Sequence, residues 1–254
     1  MTVITGGGSE LGEALARAFA AAGASVALLD IGGGLRRARA FARRLAPRVV
    51  AIPCNLTRAA DISRAFRAVA RQWGAVDILV NNAHVEGPTC PAERISRTEW
   101  EHTLRVNLTA AFLCAREVIP LMRDPDGGSI VQLGSVGGRM AYTLRLPYSV
   151  SIAALGQLTR VLAAELGARH IRVNFVVAGP VAGATVDEVI RRRARASGRS
   201  ESAVRNQYRR ASVMRTMVSA RDVVSLVCFV CSPAAAHITG QTLEVSAGWM
   251  ADTL

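Results

Sequence analysis

The residues of this 254-residue chain that can do chemistry fall into two groups, and one common reagent is missing. The first group is Gly6, Gly7, Gly8 and Gly12, which follow the β-branched run TVIT and lead into the Ala/Leu-rich stretch that stops at Gly23. A glycine-rich turn between a first strand and a first helix lets backbone approach a pyrophosphate at a helix N-terminus. Asp30 closes the next apolar run, SVALLD. A carboxylate there accepts hydrogen bonds from an adenosine ribose and repels a 2′-phosphate, so the pair points to NAD rather than NADP. Glycines alone carry little weight, since loops need them anyway; glycines at this junction with Asp at this strand end carry more. The second group is the stretch PYSVSIAAL, where Tyr148 opens a helical run and Ile152 stands four residues on. What is missing is lysine: all 31 basic residues are Arg. Arg stays charged and cannot serve as a tuned amine base or Schiff-base former.

The remaining composition excludes more than it assigns. The net charge of +12 raises nucleic-acid binding, but the arginines are scattered, aromatic residues are few and no binding motif frames them. No apolar run reaches the roughly 18 residues that a membrane span needs. The start MTVITGGG lacks the basic and apolar regions of a signal peptide, so a cytoplasmic protein is expected. Cys228 and Cys231 have redox-motif spacing, yet they lie in the apolar run RDVVSLVCFVCSP with no second pair and no His at ligand spacing. They read as buried small hydrophobes. The odd total, with Cys54, Cys90 and Cys114, argues against a disulfide framework, and no metal site is expected.

The elements that must position these groups alternate in type. Strands are expected at TVIT, SVALLD, VVAIPCN, VDILVNNA, GSIVQLGS, IRVNFVVAG and TLEVSAG. Between them fall the helix after the glycine loop, the basic amphipathic LRRARAFARRLA, and helices over Ile62 to Trp73, Trp100 to Met122, Tyr148 to Leu166 and Arg221 to Cys231. The pattern predicts an α/β fold, a Rossmann-like doubly wound parallel sheet of about seven strands with helices on both faces. Half the residues are hydrophobic, which suits one domain over residues 1–254. The unusual segment is about 184–215, polar and Arg-rich, inserted before the last helix.

These pieces together resemble a short-chain dehydrogenase/reductase of the single-domain type, over nearly the whole chain. The matching residues are TGGGSELG, NNA at Asn81 to Ala83, VNL at Val106 to Leu108, Gly134-Ser135, Tyr148, RVN at Arg172 to Asn174 and ITGQ at Ile238 to Gln241. Ser135 and Tyr148 are 13 residues apart, the spacing that family favours. The resemblance implies hydride transfer between NAD(P) and a carbonyl or carbinol carbon, in a dimer or tetramer. It implies catalytic roles for Ser135, which hydrogen-bonds the substrate oxygen, for Tyr148 as general acid or base, and for Asn107, which holds a water and a backbone kink. It implies cofactor contacts from Thr5, Gly6, Gly8, Ser9, Leu11, Gly12, Asp30, Asn55, Leu56, Asn82, Ala83, Tyr148, Gly179 and Val181. It also places the missing lysine, which belongs at Ile152, where it would bind the nicotinamide ribose, lower the tyrosine pKa and start a proton relay.

The chain departs from the family pattern elsewhere too. Glu10 replaces the middle glycine, where its carboxylate either crowds the cofactor phosphates or points to solvent. Asn55 replaces an Asp that faces the adenine, His84 the Gly of NNAG, Ala178 the Pro after the sixth strand, and Gly183 a Thr that touches the carboxamide. Without a nearby ammonium, Tyr148 should stay protonated at neutral pH, unless an Arg or the oxidised nicotinamide compensates. A neutral phenol gives a proton to a nascent alkoxide more readily than it takes one from an alcohol, so any activity should favour ketone reduction. His84 reads as a loop histidine nearer the adenosine half, Arg139 and Arg145 as solvated loop arginines, and Tyr142 as a wall of the substrate pocket. The Arg-rich segment falls where the family places its substrate lid. It reads equally as a set of Arg forks for an anionic substrate and as a solvated helical lid. Beside the NAD-dependent reductase stand a non-redox enzyme of halohydrin-dehalogenase type, which would carry Arg at position 152, and a non-catalytic nucleotide-binding or assembly protein.

Overall fold

The computed structural model describes residues 1–122 and 127–249. Seven strands form one parallel sheet: β1 (Thr2–Thr5), β2 (Val26–Asp30), β3 (Val49–Pro53), β4 (Ile78–Asn81), β5 (Gly128–Ser135), β6 (Ile171–Ala178) and β7 (Thr242–Val245). Their order is β3-β2-β1-β4-β5-β6-β7. The chain therefore winds one way from β1 and then the other way from β4. A crevice opens at the carboxyl ends of β1 and β4, where such a reversal leaves room for a ligand. The strands are almost continuously apolar because both faces are covered. One face packs under α1 (Glu10–Ala21), α2 (Gly32–Arg44) and α9 (Ala220–Cys231). The other packs under α3 (Ala59–Trp73), α5 (Ala110–Val118) and α6 (Leu146–Leu166). No helix among the described residues is long and apolar enough to cross a membrane.

The sequence predicts a single helix from Trp100 to Met122. The chain instead forms α4 (Arg97–Leu104), a π-helical turn over Arg105–Thr109 and α5. Helix α4 starts early because Ser96 and Glu99 make a reciprocal capping box. The π turn carries Asn107 and supplies the kink expected there. The Arg-rich segment folds as two helices, α7 (Ala184–Ser197) and α8 (Glu201–Arg210). Their apolar sides, with Val186, Val189, Ile190, Val204 and Tyr208, form a third cluster with Tyr148, Ile152 and Trp249. Cys228 and Cys231 are half-buried on α9, and burial pushes the Cys231 thiol up to about 12, away from redox reactivity.

Candidate functional site

The carboxyl ends of the strands gather the expected residues along one cleft. At its nucleotide end the glycine loop is held by backbone geometry and by neighbouring strand ends. Gly6 turns with φ +66°, and a Cβ there would stand 2.9 Å from the Ala83 Cα. The Ser9 side chain caps α1 by accepting from Gly12 N at 3.0 Å. Asn82 Nδ2 donates to the carbonyls of Thr5 and Gly6 at 2.9 and 3.1 Å. The Thr5 hydroxyl accepts from the backbone N–H groups of Asn82 and Ala83, both at 3.0 Å. Thr5, Gly6, Ser9, Gly12, Asn82 and Ala83 are thus one hydrogen-bonded unit.

Asp30 closes the other side of this loop. Its carboxylate accepts from Gly8 N at 2.8 Å and from Ile31 N at 2.7 Å. Gly8 packs so closely on Gly34 that any side chain at position 8 would collide with the Gly34 carbonyl. Arg37 Nε donates to Gly8 O at 2.8 Å. Asn55 and Leu56 follow β3 on the Asp30 side, and the Asn55 side-chain Oδ1 accepts from the Thr57 N–H and hydroxyl. Ser9, Leu11, Asn82, Gly179 and Val181 line the same cavity as Ser135 and Tyr148. Gly8, Asp30, Asn55 and Leu56 lie outside that cavity, toward the β2–β3 edge. Glu10 is exposed, and its carboxylate reaches over to the lid: it accepts from Ala184 N at 3.2 Å and lies over Gly183 (φ +147°), where a Cβ would stand 2.4 Å from its Oε2. It therefore caps α7, the first lid helix, from the glycine loop.

The catalytic end is built by side chains. Ser135 ends β5, accepts from Gly137 N at 3.2 Å and lines the same cavity as the buried Tyr148. The Asn107 amide is committed to the protein: Oδ1 accepts from Val85 N at 2.8 Å, and Nδ2 donates to Val85 O at 3.0 Å and Ser151 Oγ at 2.9 Å. A water expected on this amide could reach only the second lone pair of Oδ1. Ile152 is 1% exposed and lies against Gly138, where its Cγ2 would stand 2.6 Å from a Cβ. It packs there and also lines the cavity beside Tyr148.

Two expectations are corrected here. Arg145 is not a solvated loop arginine: it is 1% exposed, ion-paired to Glu86, and its guanidinium carbon lies 4.5 Å from the Tyr148 ring centre. His84 is not at the adenosine half. Its ring meets Tyr148 edge-on, with centres 6.3 Å apart. Nδ1 faces the Asn82 carbonyl at 3.2 Å and Nε2 faces Glu86 at 3.3 Å. Glu86 had no signal in the sequence, since it lies in an irregular loop and both its partners come into range only through the fold. Burial alone would lower the His84 pKa, but the hydrogen bond and charge of Glu86 and the Asn82 carbonyl carry it above its ordinary value. Burial alone would raise Glu86; His84 and Arg145 instead bring it down to about 2. Burial, and then the Glu86 charge, push the Tyr148 phenol well above its usual value, against the pull of Arg145 and Ser135. The phenol is therefore neutral, as expected without a lysine.

Tyr142 lines the cavity as expected, with its hydroxyl bonded to that of Tyr208. Arg139 remains a surface residue, paired with Glu244 at 2.6 Å. The lid offers Thr185, Val186, Val189 and Tyr208 to the cavity, and the only arginine among the described lining residues is Arg145. Four of the lid arginines are engaged on the lid itself, Arg191 and Arg192 with Glu188, Arg205 with Asp187 and Arg199 with Gln207, while Arg193 lies over the rings of Tyr142 and Tyr208.

A parallel sheet whose order reverses at a glycine loop, with Ser and Tyr facing each other across the cleft, defines a nucleotide-dependent oxidoreductase scaffold. The chain belongs to the short-chain dehydrogenase/reductase family: the profile described as Enoyl-(Acyl carrier protein) reductase matches residues 7–250. It is 36% identical over 179 residues to a D-threitol dehydrogenase of Mycolicibacterium smegmatis, covering 69% of this chain and 68% of that one. It is 30% identical to a D-beta-hydroxybutyrate dehydrogenase of Rhizobium meliloti, covering 98% of both. Among solved structures, NAD+-bound xylitol dehydrogenase superposes with a TM-score of 0.92 at 25% identity, covering 97% of each chain. Relatives of this chain thus act on alcohols and ketones with nicotinamide cofactors.

Proposed function

We propose that this chain is a nicotinamide-dependent carbonyl reductase, working on NADH and an uncharged, largely apolar ketone. The observation that carries the reading is that Ser135 and Tyr148 share a cavity with Ser9 of the glycine loop and Leu11 of α1. When bound, the nicotinamide supplies the hydride. The glycine loop would hold its pyrophosphate, with Thr5, Gly6, Gly8, Ser9, Leu11, Gly12, Asn82 and Ala83 forming the cradle. Asp30, Asn55 and Leu56 would hold the adenosine, and Gly179 and Val181 the nicotinamide. Asp30 keeps lone pairs free beyond its bonds to Gly8 and Ile31, and its charge disfavours a 2′-phosphate. Tyr148, neutral in its buried site, holds a proton ready for the substrate oxygen, which Ser135 orients. Asn107 holds the neighbouring loop. Val136, Tyr142, Val186, Val189 and Tyr208 surround the space for the substrate, with the lid of residues 184–215 closing over it. No lid arginine is among the described residues lining the cavity, which speaks against a lid fork for an anionic substrate. The exposed Phe112, Leu146, Val150 and Val161 on α5 and α6 give an apolar face for assembly of a homo-oligomer.

Calorimetric titration with NADH and NADPH, followed by NADH oxidation with a panel of apolar and hydroxylated ketones, tests the reading. Tighter binding of NADH and turnover of the apolar ketones are expected. No binding of either nucleotide would overturn it. One arrangement favours a second reading, a nucleotide-binding protein without turnover: Ile152 puts an apolar side chain into the cavity beside Tyr148, and Glu10 is bonded from α1 to Ala184 of the lid. NADH binding with no turnover would select it.

A further inference from the structure

The lysine that Ile152 replaces leaves Tyr148 without its usual cation, yet the phenol is not without charges. Three ionisable side chains from two other segments converge on it. Arg145 comes from the segment before α6; His84 and Glu86 come from the loop after β4. Arg145 lies over the Tyr148 ring and pairs with Glu86, and its buried Nε makes no hydrogen bond. Both ring nitrogens of His84 face acceptors, the Asn82 carbonyl and Glu86, an arrangement that suits an imidazolium, whose two N–H groups both donate. The other groups around the phenol are the Ser135 hydroxyl from β5 and the hydroxyls of Tyr142 and Tyr208, with Arg193 behind those two rings. None of these adds a further anion.

We propose that the His84–Glu86–Arg145 cluster sets the proton affinity of Tyr148 in place of the lysine, with Arg145 favouring the phenolate and Glu86 opposing it. The proposal rests on the reading of Tyr148 as the proton donor. When the phenol O–H bond breaks and its proton passes to the substrate oxygen, the phenolate is left beneath a guanidinium that cannot lose its charge. Glu86 cancels much of that benefit, so the phenol keeps its proton at rest. His84 decides the balance: protonated, it leaves the cluster with one net positive charge, and deprotonated it leaves none. The three are positioning residues, acting through Tyr148 and not on the substrate. The assignment gives Glu86 a directional role. It holds the enzyme on the reducing side by keeping the phenol protonated.

The test reads the phenol itself, without turnover. Tyr148, Tyr142 and Tyr208 are the three tyrosines of the chain. In a Tyr142→Phe, Tyr208→Phe background, trifluorotyrosine at position 148 brings the phenol into an accessible range, and absorbance gives its titration midpoint. Glu86→Gln is expected to lower the midpoint, Arg145→Gln to raise it, and Arg145→Lys to leave it near the parent value. A structural role alone would not produce opposite signs. Movement of the first two in the same direction, or of neither, would overturn the proposal. Should Arg145→Gln not fold, the pair Glu86→Gln and Arg145→Lys keeps the test, with one shift and one null expected. In the otherwise native chain, Glu86→Gln should raise the ratio of the kcat of alcohol oxidation to that of ketone reduction, both at saturating substrate and cofactor, roughly tenfold at neutral pH, the ratio one unit of phenol acidity gives. Opposite midpoint shifts without turnover of any ketone would leave the cluster standing and remove the reductase reading; turnover with unmoved midpoints would do the reverse.

Discussion

The two ends of the cleft solve their problems with different materials. The nucleotide end is held by backbone and by neutral side chains: the Asn82 amide, the Thr5 and Ser9 hydroxyls, and glycines packed against carbonyls. Its charged side chains, Asp30, Arg37 and Glu10, bond to backbone groups and not to one another. The catalytic end is held by charge, with Arg145 and Glu86 locked around a buried phenol and His84 at its edge. Backbone hydrogen bonding tolerates substitutions such as Asn55 with little consequence, since an amide can take over an acceptor's place. A charge cluster does not tolerate them, because each member's cost of burial is met only by the others. The difference teaches where change is affordable in this fold. The chain has dispensed with lysine at the end where charge matters most and has charges from other segments there instead.

The largest expected effect falls at the catalytic end. Tyr148→Phe should lower ketone reduction by roughly 10²- to 10⁴-fold while NADH binding measured by calorimetry stays unchanged. A parallel loss of binding would erase the distinction between the two ends. Arg145→Met should come next. It strands Glu86 in a largely buried site and should cost about 3 kcal/mol in chemical denaturation; a cost under about 1 kcal/mol would show that the pair is as weak as a surface bridge. The pH dependence carries the same message. The Glu86 pKa is depressed to about 2, so its contribution is present above the ordinary carboxylate value of 4.5 and is lost as pH falls toward 2. His84 is raised, so its contribution is full below 6.5 and disappears as pH rises through its folded value. Denaturation midpoints of the parent should decline on both sides, and Glu86→Gln should flatten the acid side.

Smaller effects are expected at the nucleotide end. Asp30→Ser should narrow the preference for NADH over NADPH roughly tenfold, measured by paired titrations; an unchanged ratio would mean that Asp30 serves only to hold Gly8. Glu10→Gly should tighten NADH binding about fivefold, the size of effect that removal of one partly exposed charge brings. Weaker binding would mean that the Glu10 bond to Ala184 helps to shape the site.

What the sequence made legible follows the same division. The strands, the glycine loop and the 13-residue step from Ser135 to Tyr148 are local patterns, and each appears in the fold where the pattern puts it. Ile152, Glu10 and His84 were legible as departures, but not their directions. The Glu10 partner lies 174 residues away in sequence, and the Arg145 partner 59. Arg145 precedes Leu146-Pro147 in a polar-looking loop, and an arginine's own sequence neighbours do not show whether it snorkels out or turns in. Only the loop after β4, brought beside α6, decides that. The π turn was hidden for another reason: its residues, RVNLT, continue the helical pattern on both sides.

Asn107, at the centre of that turn, has a mechanical consequence. Its amide clamps both backbone groups of Val85, one residue from His84 and from Glu86, and also grips Ser151 on α6, one turn past Tyr148. At Gly87 (φ +64°) the loop turns with no room for a side chain's Cβ, which would stand 2.9 Å from Thr103 Oγ1. Tyr148 and the loop that carries His84 and Glu86 therefore share one hydrogen-bonded frame, through which a displacement of that loop reaches α6.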